Sequence, residues 1–283
     1  MDGLLITILI VTGFLVYKMI SSSRKQEGYK RWKATGSGDT ANEETAGNKW
    51  KHGAWLRHAL GVTTPKARTY PVFDEEAVVW CAGLLGVEAV RLKEILQDVS
   101  SHYREFWIRK RKGGYRMISA PDKELKSIQD TIYHRILLPV NVHPVATGFR
   151  RQHSIVDNVR PHLGKRCVLK TDIHDFFLSI RSPRVKQTFE NIGYPKNISK
   201  VLGELCCRRR HLPQGASTSP ALSNIIAYEM DRKLAAMAEE FGLAYTRYAD
   251  DLTFSGDVFP KEQVLVRVKE IIREEKFEPN QIG

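Results

Sequence analysis

Tyr245-Thr246-Arg247-Tyr248-Ala249-Asp250-Asp251-Leu252-Thr253-Phe254 decides the reading of this 283-residue chain. Two short apolar runs, residues 245–248 and 252–254, flank the adjacent aspartates and predict a hairpin with both carboxylates at its tip. An Asp-Asp pair alone is ordinary turn chemistry. Upstream, however, Val168-Leu169-Lys170-Thr171-Asp172-Ile173 reads as a short buried strand ending in a third acid. Mg²⁺ takes oxygen ligands and few of them from protein, so these carboxylates suit two such ions. A pair of ions about 3.5–4 Å apart neutralises the entering and leaving oxygens of a phosphoryl transfer. Asp172, Asp250 and Asp251 are therefore the candidate catalytic and metal-binding residues.

The net charge of +12 points to a polyanion or an anionic membrane surface as partner. The charge is concentrated. Residues 101–170 hold 15 Lys and Arg against 5 Asp and Glu, interleaved with Tyr103, Phe106, Trp107 and Tyr115. Basic charge mixed with aromatic faces favours nucleic acid over a merely solvated surface. The four cysteines lack metal-ligand spacing and read as reduced, buried thiols of a cytosolic domain.

The N-terminal segment is of another kind. Residues 4–17 are uncharged and mostly apolar, and the run continues past Lys18 to Ile20. A spanning helix wants about 20 such residues, with a lower limit near 17. Lys18, Arg24, Lys25, Lys30 and Arg31 follow, against Glu27 alone. The pattern predicts an anchor over residues 1–20 in the inner membrane with the rest in the cytoplasm. A cleaved signal, or a buried helix in a wholly cytoplasmic protein, is the alternative. Residues 21–49 are polar and Gly/Ser-rich and read as a flexible linker.

Residues 50–102 form a helical region, with a short amphipathic helix at 50–62 and two helices over 74–99 split near Gly86. From residue 103 the pattern becomes α+β. A hairpin over 106–118 carries a basic, glycine-containing loop, and helices follow at 125–138, 183–192 and 198–207. Ser219-Pro220 opens a long helix that runs to Gly242, with Ser219 as its cap. A last helix spans 263–275.

The order of these motifs resembles that of a reverse transcriptase, and most closely the bacterial retron type. Tyr248-Ala249-Asp250-Asp251 resembles the family's central catalytic box, and Asp172-Ile173-His174-Asp175-Phe176-Phe177 its first aspartate box. Leu212-Pro213-Gln214-Gly215, running into Thr218-Ser219-Pro220, resembles the floor of the nucleotide pocket. Lys112-Gly113-Gly114-Tyr115-Arg116 through Pro121 resembles the fingers, and Gly148-Phe149 to Ser154-Ile155 the block that follows. Asn158-Val159-Arg160-Pro161-His162 is similar to an Asn-Ala-x-x-His signature of retron enzymes, with Val for Ala. The likeness implies palm and fingers over residues 103–283. A lysine box and a thumb would come next. Phe277-Glu278-Pro279-Asn280 approaches that box, and the chain stops at Gly283, so the thumb is expected to be missing.

What the resemblance implies can be set out residue by residue. Asp172, Asp250 and Asp251 would hold the metals, with the Ile173 carbonyl as a backbone ligand. Phe177 would screen the sugar 2′ position, or else serve as a core phenylalanine. Arg116 and Lys112 would reach the triphosphate, or stand as solvated hairpin charges. Gln214 would touch the incoming nucleotide or template, or cap its loop. Asn158 and His162 would contact template or serve packing. Arg208, Arg209 and Arg210 would follow a nucleic-acid backbone or face water. Asp175 would start a helix.

The implied activity is RNA-directed DNA synthesis from deoxynucleoside triphosphates, with an RNA–DNA duplex as product. The retron likeness adds a structured non-coding RNA as template and primer, a branched RNA–DNA, a role in antiviral defence and an effector protein. Besides an RNA-templated RNA polymerase, which predicts a small residue where Phe177 stands, two rivals stand beside it. One is a group II intron or diversity-generating reverse transcriptase. The other is a non-catalytic, membrane-tethered RNA-binding module.

Overall fold

The structure is a computed structural model that describes residues 72–110 and 113–280. The expected anchor at 1–20, the linker at 21–49, the helix at 50–62 and Lys112 lie outside the described residues. Among the described residues no helix is long and apolar enough to cross a membrane.

A helical layer forms first. Helix α1 (Glu75–Leu85) is capped by Asp74, whose side chain accepts from the Glu76 amide, and it ends at Gly86 in the left-handed region. Helix α2 (Ala89–Gln97) turns its buried Leu92, Ile95 and Leu96 inward. A hairpin follows, β1 (Tyr103–Arg109) with β2 (Tyr115–Pro121), in register from Tyr103 opposite Pro121 to Arg109 opposite Tyr115. Pro121 is the last residue of β2 and ends the strand. The far end of the hairpin is exposed at Phe106, Trp107, Ile108 and Tyr115.

Helix α3 (Lys123–Ile132) starts on the Asp122 side chain, which accepts from the Leu125 amide at 2.8 Å. Leu125, Ile128, Gln129 and Ile132 are buried at helical spacing. The α-helix stops at Ile132 and widens into a π-helical turn over Tyr133–Leu137, earlier than the predicted end at 138. Helices α6 (Ser182–Ile192) and α7 (Lys196–Leu205) complete this half after the short α4 (Ile155–Val159) and α5 (Phe176–Ser179).

The second half is a four-stranded antiparallel sheet in the order β4-β5-β3-β6, formed by β3 (Cys167–His174), β4 (Ala244–Tyr248), β5 (Asp251–Gly256) and β6 (Glu278–Pro279). Its faces follow from strand alternation. Leu169, Thr171, Ile173, Tyr245, Arg247, Leu252 and Phe254 share one face, packed with helices α9 (Tyr228–Glu240) and α10 (Lys261–Glu274). The Tyr245 and Phe254 rings stack there with centroids 4.6 Å apart. Val168, Lys170, Asp172, Thr246, Tyr248, Asp251, Thr253 and Ser255 share the opposite face.

The expected long helix from Ser219 is two helices, α8 (Ser219–Ile226) and α9, separated at Ala227. The capping position is Thr218, and Ser219 is already the first helical residue. Pro220 sits in the first turn, where its missing N–H costs nothing.

Candidate active site

The hairpin between β4 and β5 closes in two residues. Tyr248 pairs with Asp251, which leaves Ala249 and Asp250 as the turn. The expectation of both aspartates at the tip therefore needs correction: Asp250 is in the turn, and Asp251 is the first residue of β5. Ala249 takes φ +61, a conformation that glycine usually supplies at the first central position of such turns. Across the sheet Asp172 stands directly opposite Asp251. The Ile173 amide donates to the Asp250 carbonyl at 3.0 Å, tying the turn to the end of β3. Three acids far apart in sequence are thus brought to one end of the sheet.

Their side chains do not close into a cage. Among the described residues, no group of three or more His, Cys, Asp or Glu side chains stands placed to hold a metal ion. Directly opposed like charges on neighbouring strands repel. Asp172 also turns one carboxylate oxygen, Oδ2, to the Asn280 side-chain amide at 3.0 Å. The donor chemistry nevertheless fits a hard divalent ion, since every candidate ligand at this end of the sheet is an oxygen.

The residues expected around an incoming nucleotide lie on separate elements. Phe177 is half-buried in α5, its ring centroid 5.9 Å from that of Phe149, which in turn lies 6.5 Å from Tyr248. Asp175 begins α5 at φ +45 without a side-chain capping bond. Arg116 is half-buried on β2, opposite Ile108. The Gln214 carbonyl accepts from the Ser119 amide of β2 at 2.9 Å. Gly215, at φ +133, lies so close that an added Cβ would sit 2.7 Å from the Ser119 carbonyl oxygen. The Gln214-Gly215 loop is in this way docked against the hairpin that carries Arg116.

Asn158 and His162 are buried. His162 uses both ring nitrogens, Nδ1 with the Ser255 hydroxyl at 2.6 Å and Nε2 with the Thr246 hydroxyl at 2.8 Å. Asn158 Oδ1 accepts from the Thr147 hydroxyl at 2.8 Å, and its carbonyl accepts from Thr246. The segment from α4 to His162 thereby covers the part of the aspartate-bearing face remote from the acids. Burial, with Lys170 adding to it, lowers the His162 pKa to about 4. Both side chains are spent on packing this segment against the sheet.

The three arginines separate as well. Arg208 is buried, paired with Glu105 of β1 and set over the Tyr103 ring. Its expected place on a nucleic-acid backbone is corrected by that burial. Arg209 and Arg210 are exposed, at φ +46 and +68.

One group at this end was missed in the sequence. Arg247 is fully buried beneath the Ala249-Asp250 turn and forms a bidentate pair with Asp231 of α9, at 2.7 and 2.6 Å. Burial alone would lower its pKa, but the Asp231 carboxylate outweighs that and raises it. The available signal was an arginine inside a short apolar strand, where a charge needs a buried partner.

The reverse transcriptase (RNA-dependent DNA polymerase) family matches residues 108–280, which contain strand β2, the docked loop and all three acids. Among curated proteins, the Retron Ec86 reverse transcriptase of Escherichia coli is 37% identical over 179 residues, covering 62% of this chain and 55% of that protein. The Retron Mx65 reverse transcriptase of Myxococcus xanthus is 38% identical over 198 residues, covering 63% and 46%. The Retron Mx162 reverse transcriptase of the same organism is 31% identical over 288 residues, covering 89% and 58%. The chain thus spans about half the length of these relatives. With the motifs in order and the acids on one sheet end, the chain belongs to the reverse transcriptase family and is of the bacterial retron type.

Proposed function

We propose that this chain catalyses RNA-directed DNA synthesis, in which a primer hydroxyl attacks the α-phosphate of a deoxynucleoside triphosphate and pyrophosphate leaves. The observation that carries this reading is the pairing of Asp172 opposite Asp251, with Asp250 in the adjoining turn. Two Mg²⁺ ions, held by Asp172, Asp250, Asp251 and the Ile173 carbonyl, would supply charge neutralisation at the entering and leaving oxygens.

The remaining roles belong to the chain's own residues. Phe177 excludes a ribose 2′-hydroxyl by collision. Arg116 and Lys112 bind the triphosphate, the guanidinium through fixed, paired donors. Gln214 orients the nucleotide or template from its docked loop. Arg209 and Arg210, being exposed, follow the backbone of the RNA–DNA duplex.

The likeness to retron enzymes supports the finer reading. The template and primer are a structured non-coding RNA, the product is a branched RNA–DNA, and the system serves antiviral defence with an effector protein. The run of residues 4–20 and the basic residues after it support a tether to the inner membrane. Fractionation of cells with and without residues 1–20 tests the tether; equal partition of both forms removes it.

Primer extension on an RNA template with Mg²⁺, comparing the chain with its Asp250→Ala variant, tests the activity. Extension by the first and none by the second is expected. Equal signal from the two would remove the polymerase reading.

A further inference from the structure

Underneath the two-residue turn lies a closed set of buried hydrogen bonds that the proposed reaction does not use. A guanidinium has five N–H donors in a rigid fork. Arg247 spends Nε and Nη2 on the two carboxylate oxygens of Asp231. Its Nη1 reaches the Asn224 side-chain oxygen at 3.1 Å and the Ala249 carbonyl at 3.0 Å. Asn224 turns its amide nitrogen to the Gly148 carbonyl at 2.9 Å. Gly148 abuts the turn itself, where an added Cβ would lie 2.8 Å from the Ala249 nitrogen. The Tyr245 hydroxyl donates to Asp231 at 3.0 Å. Arg247, Asp231, Asn224 and Tyr245 are all buried.

The Ala249 carbonyl belongs to the central peptide of the turn. Ala249 has positive φ and Asp250 does not. The two turn types that close a two-residue hairpin differ by a flip of this peptide: in one only the first central residue has positive φ, in the other both do. A flip would rotate Asp250 about its own backbone and re-aim its carboxylate relative to Asp251. Arg247 bonds the oxygen that would have to swing. Stability alone is a poor account of the pair, because a buried ion pair can often be replaced by apolar side chains at no loss of stability.

We propose that Arg247, oriented by Asp231 and Asn224, is a positioning residue that locks the Ala249–Asp250 peptide and so fixes where Asp250 stands relative to Asp251 and Asp172. The inference rests on the reading of these aspartates as divalent-ion ligands. Its consequence is that ion affinity at the aspartates depends on a side chain on the opposite face of the sheet.

The test replaces the pair by apolar side chains of similar size, Arg247→Met with Asp231→Leu, in the full chain. Thermal melting reports the fold. Mn²⁺ binding is followed by electron paramagnetic resonance, with Asp250→Ala identifying which binding belongs to the aspartates. The expected result is a folded double variant whose Mn²⁺ affinity is about 10- to 100-fold weaker, the range for loss of an outer-shell partner. Its kcat in primer extension should fall with KM for the nucleotide little changed. Arg247→Lys keeps the charge but loses the fork, and should weaken Mn²⁺ binding in the same direction. A folded double variant with unaltered Mn²⁺ affinity overturns the inference alone. Wild-type protein that binds no Mn²⁺ at the aspartates overturns the reading of the site, and the inference with it. If neither variant folds, the pair is a folding determinant and the positioning role is likewise lost.

Discussion

Asn280 grips Asp172 twice: its backbone amide donates to the Asp172 carbonyl at 2.9 Å, and its side-chain amide donates to Asp172 Oδ2 at 3.0 Å. The first bond extends the pairing of β6 with the end of β3; the second fixes the orientation of the carboxylate. Outer-shell partners of metal ligands typically carry about 10- to 100-fold in affinity or activity. Asn280→Ala should therefore raise the Mg²⁺ concentration needed for half-maximal primer extension by that order. Asn280→Asp should do so more strongly, since it sets a second negative charge against Asp172. A Mg²⁺ titration checks both, and a midpoint in Asn280→Ala equal to that of the wild type would refute the orienting role.

Gly148 is the position where the segment after α3 meets the Ala249-Asp250 turn. A Cβ there would lie 2.8 Å from the Ala249 nitrogen and 3.2 Å from Tyr248 backbone carbon. Backbone offers no flexible end to move aside, so the turn or the Gly148 segment must shift. Forced overpacking of this kind costs about 1–3 kcal/mol. Gly148→Ala should lower stability by that amount in urea unfolding and should depress primer extension beyond what the unfolded fraction explains. Full activity per folded molecule would show that the turn tolerates the displacement.

The palm was legible because its signals are local. Residues 168–173, 245–248 and 252–254 are short runs set off by turn residues, which suit strands, and three acids at their ends narrow the chemistry further. Their pairing, Asp172 opposite Asp251, is a register between strands far apart in the chain, and no local pattern encodes it. The break at Ala227 was hidden because apolar spacing continues from Ile226 into α9, with neither glycine nor proline to mark it. Arg208, Arg209 and Arg210 are identical in a sequence; two consecutive left-handed residues decide which of them faces inward. Arg247 went unread for a related reason, since a charge in a hairpin strand defaults to solvent until a buried carboxylate appears on another helix.

Phe177 and Phe149 form a small aromatic row with Tyr248 beside the aspartates. If Phe177 screens the sugar 2′ position, Phe177→Ala should raise ribonucleotide incorporation relative to deoxynucleotide by about 10- to 100-fold, as removal of a steric barrier in a pocket typically does. Phe149→Ala should have the same sign and a smaller size, because it removes a neighbour of the screening ring. Competing nucleotide incorporation on one RNA template measures both. Unchanged discrimination in Phe177→Ala would return that residue to the core.

His162 ties stability to pH. Its pKa is near 4 in the folded protein, held down by burial, and 6.5 is its ordinary value. Between those values the unfolded chain binds a proton that the folded chain does not, so stability is fully present above pH 6.5 and falls as the pH drops toward 4. The loss between pH 7 and pH 5 should be about 2 kcal/mol. Urea unfolding at the two pH values checks it in the wild type. His162→Gln keeps hydrogen-bonding groups but cannot titrate, and it should flatten this part of the profile while lowering stability at neutral pH. A wild-type profile that is already flat over this window would mean that burial does not hold the imidazole neutral.

Arg208 and its two neighbours offer a separation of folding from binding within one tripeptide. The Arg208 guanidinium pairs with Glu105, donates to the Ser119 hydroxyl at 3.4 Å and lies over the Tyr103 ring, so it joins the end of α7 to the base of the hairpin. Losing a hydrogen bond to a charged group costs about 1.5–3 kcal/mol. Arg208→Ala should show that cost in unfolding, with nucleic-acid affinity of the folded fraction unchanged. Arg209→Ala and Arg210→Ala should leave stability within about 0.5 kcal/mol, as exposed substitutions generally do. Removing one cation that neutralises a phosphate lowers the slope of log affinity against log salt by about one. RNA binding measured across a salt series should therefore show shallower slopes for the 209 and 210 variants and the wild-type slope for 208. If the slope falls only in Arg208→Ala, the buried arginine has been assigned to the wrong side of the turn.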